Sequence, residues 1–398
     1  MATISNTPRP AYAWDSTDNV WYPIGTGAHD HNQIPKSVVT TKGDLIVGTG
    51  AGTVVRQGVG ADGSVLVADS TQTDGLNWAG TMQYAGKNKY INGDFSIWQR
   101  GTTFNSITTN TYTADRTLAW YDGSGSTRNI TRQTFTPGSA PVAGYESPYF
   151  IRYSQTVAGT GSTYNNFGQR MEDVRTFAGQ TVTFSFWAKA AASTTVTAYA
   201  GQEFFGSSSD VYTQLGSWSV TTSWARYTGT VTIPSLSGKT IGSTSQFAAY
   251  FALPNNATFT LDFWGIQLEA GSVATPFVLA GGGSQQAELA LCQRYYNVIA
   301  SGASKFIGPC YGYGTSRVDG VINFPYMRTA PTLVVASGTN WYVNAGASGG
   351  SFNSFTGYYA SNSCIGWYSG TSTTQALGYG GSCYTNNASA SVALDAEL

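Results

Sequence analysis

Charge is scarce in this chain. Only 10% of its 398 residues are Asp, Glu, Lys or Arg, against roughly 25% in an average soluble protein. The 20 basic and 21 acidic residues leave a formal net charge of −1, so no basic stripe exists to hold nucleic acid. Histidine is almost missing: His29 and His31 are the whole supply. A Ser–His–Asp triad would have to draw on one of them, and both sit in a proline-rich segment away from any expected core. The four cysteines, Cys292, Cys310, Cys364 and Cys383, show no CxxC spacing, which excludes a zinc ribbon. They are expected as buried reduced thiols, with disulfides formed after cell lysis as the alternative. No run approaches the roughly 20 apolar residues of a membrane helix. The opening Met1-Ala2-Thr3-Ile4-Ser5 lacks the basic start and apolar stretch of a signal peptide. Synthesis in a cytosol, in soluble form and without membrane insertion, is the expectation.

What is abundant is glycine, at 48 residues, with 14% aromatic and 41% apolar residues. Low charge with many Thr, Val, Tyr, Phe and Trp favours strands joined by glycine turns. The apolar share is large enough for real cores, so the chain is not a disordered low-complexity polymer.

The texture changes along the chain. Residues 1–36 carry Pro8, Pro10, Pro23 and Pro35 around Trp14, Trp21 and Tyr22. This segment cannot make a core alone, and its aromatics need a partner surface. Residues 37–85 are short β-branched runs between glycines: Leu45-Ile46-Val47, Val54-Val55 and Val65-Leu66-Val67. Isolated two-stranded units are marginal in water, and three chains winding together would bury one another's edges. Residues 86–280 read as an all-β domain. In Val182-Thr183-Phe184-Ser185-Phe186-Trp187-Ala188 the apolar residues 182, 184, 186 and 188 share a face, as do Phe259, Leu261 and Phe263 further on. Many strands with turn signals between them suggest a jelly-roll β-sandwich. Gly281-Gly282-Gly283 reads as a flexible hinge. A short helix comes next, near 284–296, capped by Ser284, with Ala287, Leu291 and Tyr295 on one stripe. Residues 281–398 otherwise return to Gly-, Ser- and aromatic-rich β-texture.

Three segments carry a more specific signal. Asn88-Lys89-Tyr90-Ile91-Asn92-Gly93-Asp94-Phe95-Ser96-Ile97-Trp98-Gln99-Arg100-Gly101-Thr102, with Thr113-Ala114-Asp115-Arg116 after it, resembles the opening of a domain common in phage tail-fibre and tail proteins. Ile266-Gln267-Leu268-Glu269-Ala270-Gly271-Ser272-Val273-Ala274-Thr275-Pro276-Phe277 resembles its end marker. Glu288-Leu289-Ala290-Leu291-Cys292-Gln293-Arg294-Tyr295-Tyr296 is similar to the stretch C-terminal to that marker in the same proteins. Residues 41–79 are similar to a stem element of phage fibres. The resemblance covers roughly three-quarters of the chain at the coarse precision of sequence-based boundaries, and is weak over 300–398. Thr117 departs from it, standing where the family usually has an aromatic residue. The resemblance implies virion attachment through the N-terminal part, a middle domain like a carbohydrate-binding jelly roll, and host contact at the distal end.

Candidate sites are few. On extended backbone His29 and His31 point to one side. A trimer would aim six imidazoles at its axis, a set that suits an octahedral iron or nickel ion better than tetrahedral zinc. This resembles the His-x-His sites of trimeric phage fibres; the alternative is an exposed polar loop. In related carbohydrate-binding jelly rolls, acidic residues near the first and last strands hold structural calcium, which implies Asp94 and Asp262. Calcium wants six to eight oxygens, and turn or cap bonding by Asp is the favoured alternative. No two carboxylates among Glu172, Asp173, Glu203 and Asp210 can be paired for glycoside hydrolysis from sequence. Neither Gly48-Thr49-Gly50 nor the triglycine has the Lys and helix context of a phosphate loop. The distal aromatics Trp341, Tyr342, Tyr358, Tyr359, Trp367, Tyr368, Tyr379 and Tyr384 stand among Gly, Ser and Asn, the chemistry of adaptable recognition surfaces. Packing on the core side of a strand is the competing role, expected for about half of them.

The reading is a non-enzymatic homotrimeric phage fibre. Residues 1–36 would attach to other virion proteins (baseplate, tail or capsid). Residues 37–85 would form an intertwined β stem, 86–280 the jelly roll, and 281–398 a distal tip binding a host surface glycan. A tailspike-like depolymerase is the runner-up, though no coil-length repeat of a β-helix is present. A non-adhesive spacer or capsid fibre is the other alternative.

Overall fold

The computed structural model describes residues 11–15, 20–24, 38–50, 53–60, 64–79, 86–142, 145–314, 316–338, 340–345, 348–353, 355–369 and 377–398. They are all-β with one short α-helix, and the chain divides into two compact units, Met1–Met82 and Gln83–Leu398.

In the first unit every described strand pairs with its sequence neighbour: β1 (Ala11–Asp15) with β2 (Val20–Ile24), β3 (Leu45–Gly50) with β4 (Thr53–Gln57), and β5 (Val65–Ala68) with β6 (Leu76–Ala79). The apolar runs of the sequence have become the strands. Asp44 sets the turn into β3 by accepting the backbone N–H groups of Thr40 and Thr41 at 2.9 and 2.7 Å. Trp78 links the second and third hairpins: its indole N–H donates to the Gly58 carbonyl at 2.7 Å, and its ring lies over Gly60, where a Cβ would stand 2.6 Å away. Leu45, Ile46, Val54 and Val55 remain exposed on these hairpins.

The second unit begins with a jelly-roll β-sandwich. Its strands are β7 (Thr103–Phe104), β8 (Thr111–Tyr112), β9 (Leu118–Tyr121), β10 (Thr127–Thr134), β11 (Tyr149–Val157), β12 (Asn165–Glu172), β13 (Thr181–Ala190), β14 (Thr194–Glu203), β15 (Val211–Val220), β16 (Ala225–Thr232), β17 (Gln246–Ala252) and β18 (Phe259–Ala270). They form two six-stranded antiparallel sheets, β16-β13-β18-β11-β10-β7 and β15-β14-β17-β12-β9-β8. Val182, Phe184, Phe186 and Ala188 enter the core between them from the first sheet, with Phe259, Leu261 and Phe263, as the alternation requires. Phe167, Ala198, Ala200, Phe247 and Phe251 enter from the second. The outer face of the first sheet is roofed by a further apolar cluster of Phe135, Phe150, Trp187, Trp264, Phe277 and Leu279. Among the described residues no apolar cluster roofs the second sheet.

The three segments that carried the resemblance interlock here. The Asn88 side chain donates to the carbonyls of Ile266 and Val278 and accepts from the N–H groups of Tyr90 and Leu268. Gln267 accepts from Val278 N–H at 2.9 Å. Gln99 donates to the Tyr296 carbonyl at 2.7 Å and to Asp115. Thr117 is fully buried beside Tyr90.

Helix α1 (Gln285–Gln293) starts at Ser284, whose hydroxyl accepts the Ala287 N–H. The expected apolar stripe is corrected: the buried helical residues are Glu288 and Cys292, while Ala287 and Leu291 are half-buried. The inward face meets unpaired backbone N–H groups of Asn92 and Gly281, and the Glu288 carboxylate accepts both. An aliphatic side chain there would leave two donors unsatisfied. The triglycine, expected as a flexible hinge, forms a tight turn packed against the helix start. Gly281 is pressed against Glu288, where a Cβ would stand 2.6 Å from its backbone nitrogen, and Gly282 and Gly283 take φ of 71° and 89° in a tight turn.

A second sandwich completes the unit. Its strands are β19 (Tyr296–Ser301), β20 (Phe306–Gly314), β21 (Arg317–Asn323), β22 (Thr332–Val335), β23 (Trp341–Ala345), β24 (Ser348–Phe352), β25 (Thr356–Tyr358), β26 (Cys364–Ser369), β27 (Gly380–Thr385) and β28 (Ser391–Asp395). A seven-stranded sheet, β24-β23-β27-β20-β21-β26-β25, packs on a three-stranded one, β19-β28-β22. The four cysteines are free thiols, and Cys292, Cys310 and Cys383 are buried. No helix of the described residues is long and apolar enough to cross a membrane.

Candidate ligand-binding faces

The distal aromatics divide by strand phase. Trp341 and Trp367 point inward, at 1% and 0% exposure. Trp367 stacks on Phe355 with ring centroids 4.2 Å apart, and Trp341 packs on Phe352 at 5.9 Å. They fill the distal core, which corrects their expected place at a receptor surface; a ring with this much area is worth most where water is excluded. The tyrosines lie on the other phase. Tyr342 pairs across strands with Tyr384, and their rings stack at 5.7 Å. Tyr311, Asp319 and Tyr368 form the next row across β20, β21 and β26. Tyr358 donates its hydroxyl to Asp319 at 3.1 Å, and Tyr359 and Tyr379 are exposed beyond it. Five of the sequence-derived residues, Tyr342, Tyr358, Tyr359, Tyr368 and Tyr379, are thus presented outward or at the margin of one sheet.

The sequence reading missed a second face, on the unroofed sheet of the first sandwich. Strand register sets Tyr250 of β17 beside Tyr199 of β14, with rings stacked at 5.8 Å. Trp120 packs edge-on against Tyr250 from one side at 5.1 Å, and Tyr212 from the other at 6.4 Å. Tyr212 lies flat across its cross-strand partner Gly201, where a Cβ would stand 3.2 Å from the ring. That leaves Tyr212 53% exposed although it sits in the sheet. Polar groups stand in the adjoining rows. Arg170 holds its guanidinium 5.4 Å from the Trp120 ring centre. Its Nε is buried and makes no hydrogen bond among the described residues, the Glu203 carboxylate being 4.0 Å away. Glu203 accepts from the Gln246 amide. Burial pushes the Tyr250 phenol up, so it remains a neutral hydroxyl. Flat rings beside a guanidinium, a carboxylate and an amide can hold a ligand with both apolar C–H faces and hydroxyl groups. The signal was the phase opposite the core in Thr197-Ala198-Tyr199-Ala200-Gly201, legible only once the core phase is known.

His29 and His31 lie outside the described residues. Asp262 gives both oxygens to Arg152, at 2.7 and 2.9 Å, with Lys189 at 3.8 Å. Asp94 accepts from Ser96 and Gln285. These partners account for both as ion-pair and turn residues. Glu172 is clamped by Arg294 at 2.9 and 2.8 Å, and Asp173 caps the turn at Val174–Phe177. Asp210 accepts the Phe204 N–H at 2.8 Å. A cavity of about 280 Å³ lies between α1 and the sandwich, lined in part by Lys89, Arg116, Glu172, Leu291 and Tyr295; Arg116 and Glu172 there are already paired, with Glu397 and Arg294.

No family model and no curated protein matches the chain. Among solved structures, a CBM4 structure is 16% identical over 46% of this chain and 100% of its own, with a TM-score of 0.29. A family 11 carbohydrate-binding module of a Clostridium thermocellum cellulosomal cellulase is 13% identical over 44% of this chain and 99% of its own, at 0.27. The enzymatically active domain of tailspike protein 4 of bacteriophage CBA120 is 14% identical over 42% of this chain and 21% of its own, at 0.28. At such scores the jelly-roll assignment rests on the sheet order and the buried core described above.

Proposed function

We propose that this chain is a non-catalytic glycan-binding protein, that the unroofed face of the jelly roll holds the sugar, and that it serves a trimeric phage fibre in host attachment. The observation that carries the binding reading is the row of aromatic rings on this unroofed sheet: Tyr199 stacked on Tyr250, Trp120 against Tyr250, and Tyr212 laid over Gly201 and 53% exposed. Flat, part-exposed rings with polar side chains in the adjoining rows suit a ligand that carries both apolar C–H faces and hydroxyl groups. A pyranose ring laid on Tyr212 and Tyr199 would put its C–H face on the phenols and its hydroxyls within reach of Arg170 and Glu203.

The fibre reading is supported by the three sequence segments whose residues interlock around Asn88 and Gln99. Trimerisation is supported by the exposed Leu45, Ile46, Val54 and Val55 of hairpins that, among the described residues, pair only within themselves; sister chains would bury them. On this reading residues 1–36 anchor to the virion, and His29 and His31 bind an axial metal ion. Three weak sugar contacts per trimer gain strength through effective concentration.

Glycan-array binding by the full chain, repeated with Tyr212→Ala and Arg170→Ala, tests the site. Undiminished binding in both variants would remove it. A depolymerase is the second reading, because Glu203 stands two residues along β14 from Gly201, the cross-strand partner of Tyr212, and so puts a carboxylate on the same face. Release of new reducing ends from a bound polysaccharide would establish it over the adhesin.

A further inference from the structure

The outward face of the distal seven-stranded sheet repeats the construction of the jelly-roll face, with different residues and a different charge balance. Tyr358 lies across its cross-strand partner Gly366, where a Cβ would stand 3.0 Å from the ring. Tyr342 lies across Gly349, whose Cβ would collide with the phenol. Rings laid over glycine present a flat face rather than an edge. Arg317 braces two more: its guanidinium carbon is 4.6 Å from the centre of Tyr313 and 4.5 Å from that of Tyr368. The same guanidinium grips Asp319 with Nε and Nη2 at 2.5 and 2.7 Å. With the Tyr358 hydroxyl as a third donor, both Asp319 oxygens are engaged and the ion pair is neutral as a unit. Tyr311 and Tyr313 stand exposed on β20. Tyr359 is 90% exposed at φ 49°, a backbone region that L side chains rarely adopt. Its ring meets Tyr358 at 5.1 Å. None of these tyrosines is needed for the core, which Trp341, Trp367, Phe352 and Phe355 fill from the opposite phase.

We infer that this tyrosine face is a second saccharide-binding surface, separate from the jelly-roll face, and that it takes uncharged sugar rings. The class comes from the charge balance. The guanidinium is neutralised by Asp319, so an acidic polysaccharide gains no net attraction there, whereas phenol faces and hydroxyls suit a hydroxyl-rich neutral ring. The inference does not rest on the jelly-roll reading, since the two faces share no residue.

The test uses the full chain on an immobilised array of neutral gluco-, galacto-, manno- and N-acetylhexosamine oligosaccharides, beside hexuronate-containing ones. Four proteins are compared: the parent, Tyr199→Ala with Tyr212→Ala, Tyr311→Ala with Tyr359→Ala, and all four substitutions together. Retention of a subset of neutral glycans by the jelly-roll variant, reduced at least tenfold when the distal substitutions are added, with unchanged melting, is the expected result. Three outcomes overturn the inference: a blank array for the jelly-roll variant, a distal variant that binds every glycan like the parent, or binding through this face only to hexuronates. A fall in assembly mass on light scattering for the distal variant would instead make the face a contact between copies and equally overturn it.

Discussion

Arg116 lies flat on Tyr295, its guanidinium carbon 3.4 Å from the ring centre. One residue belongs to the opening turns of the jelly roll and the other lies just beyond α1, so the pair ties the two sandwiches of the second unit. The same guanidinium reaches the Glu397 carboxylate and the Arg170 carbonyl. Arg100 shares Glu397 at 3.2 Å and covers Tyr296 at 3.6 Å.

Replacing Arg116 with Met should therefore destabilise the second unit by about 3 kcal/mol, the low end for breaking a buried ion pair, because Arg100 still faces Glu397. Chemical denaturation of parent and variant measures it, and a loss under about 1 kcal/mol would mean that the pair is not a structural tie.

Trp341→Ala and Trp367→Ala should each cost about 3–5 kcal/mol, as large-to-small changes in a packed core do. Glycan binding per folded molecule should be unchanged at low temperature. Lost binding with an unaltered melt would place these rings at the surface after all.

Tyr212→Ala should weaken glycan binding by about 2 kcal/mol, or roughly thirtyfold, as removal of an aromatic hot spot does. Its stability should stay within about 0.5 kcal/mol of the parent, as for an exposed side chain. Titration calorimetry with a glycan chosen from the array, together with a thermal melt, separates the two effects.

Glu288 gives a pH dependence with an unusual sign. Burial raises its carboxyl from 4.5 to about 6, against the lowering effect of the Asn92 and Gly281 N–H groups. The folded chain thus holds this proton more tightly than the unfolded chain. Its contribution to stability is fully present below about pH 4.5 and falls by about 2 kcal/mol as pH rises through 6. Asp94 and Asp395 are also pushed up by burial and add in the same direction. The difference between parent and Glu288→Gln isolates one group: the variant's stability should lack this step between pH 4.5 and 6. Parallel stability–pH curves for the two proteins would refute the assignment.

Light scattering of the full chain should give three times the monomer mass. A monomer would leave the exposed valines of the hairpin unit unexplained and would end the trimer proposal.

Much of the architecture was legible because it depends on local pattern. Period-two alternation in 182–188 and 259–263 named the core side of β13 and β18 without any tertiary information. Ser284 announced the start of α1, since a hydroxyl before a helix has a backbone N–H to cap. The helix face was misjudged because apolar spacing does not reveal buried backbone donors: Asn92 arrives from the start of the jelly roll and Gly281 from the turn before the helix, and together they make a carboxylate the right residue at 288.

The candidate faces lay further out of reach. A tyrosine in a Gly- and Ser-rich strand reads alike whether it faces water or core, because the phenol is compatible with both. Composition and alternation by themselves determined that the chain is β-structured, poor in charge and rich in aromatic side chains. Only the tertiary structure decided that Trp341 and Trp367 turn inward while Tyr342 and Tyr368 turn outward, and that Trp120, Arg170, Tyr199, Tyr212 and Tyr250 meet on one sheet. The reason is register: strands far apart in sequence are brought side by side by hydrogen bonding, and a shift of one residue would send every one of those side chains to the opposite face.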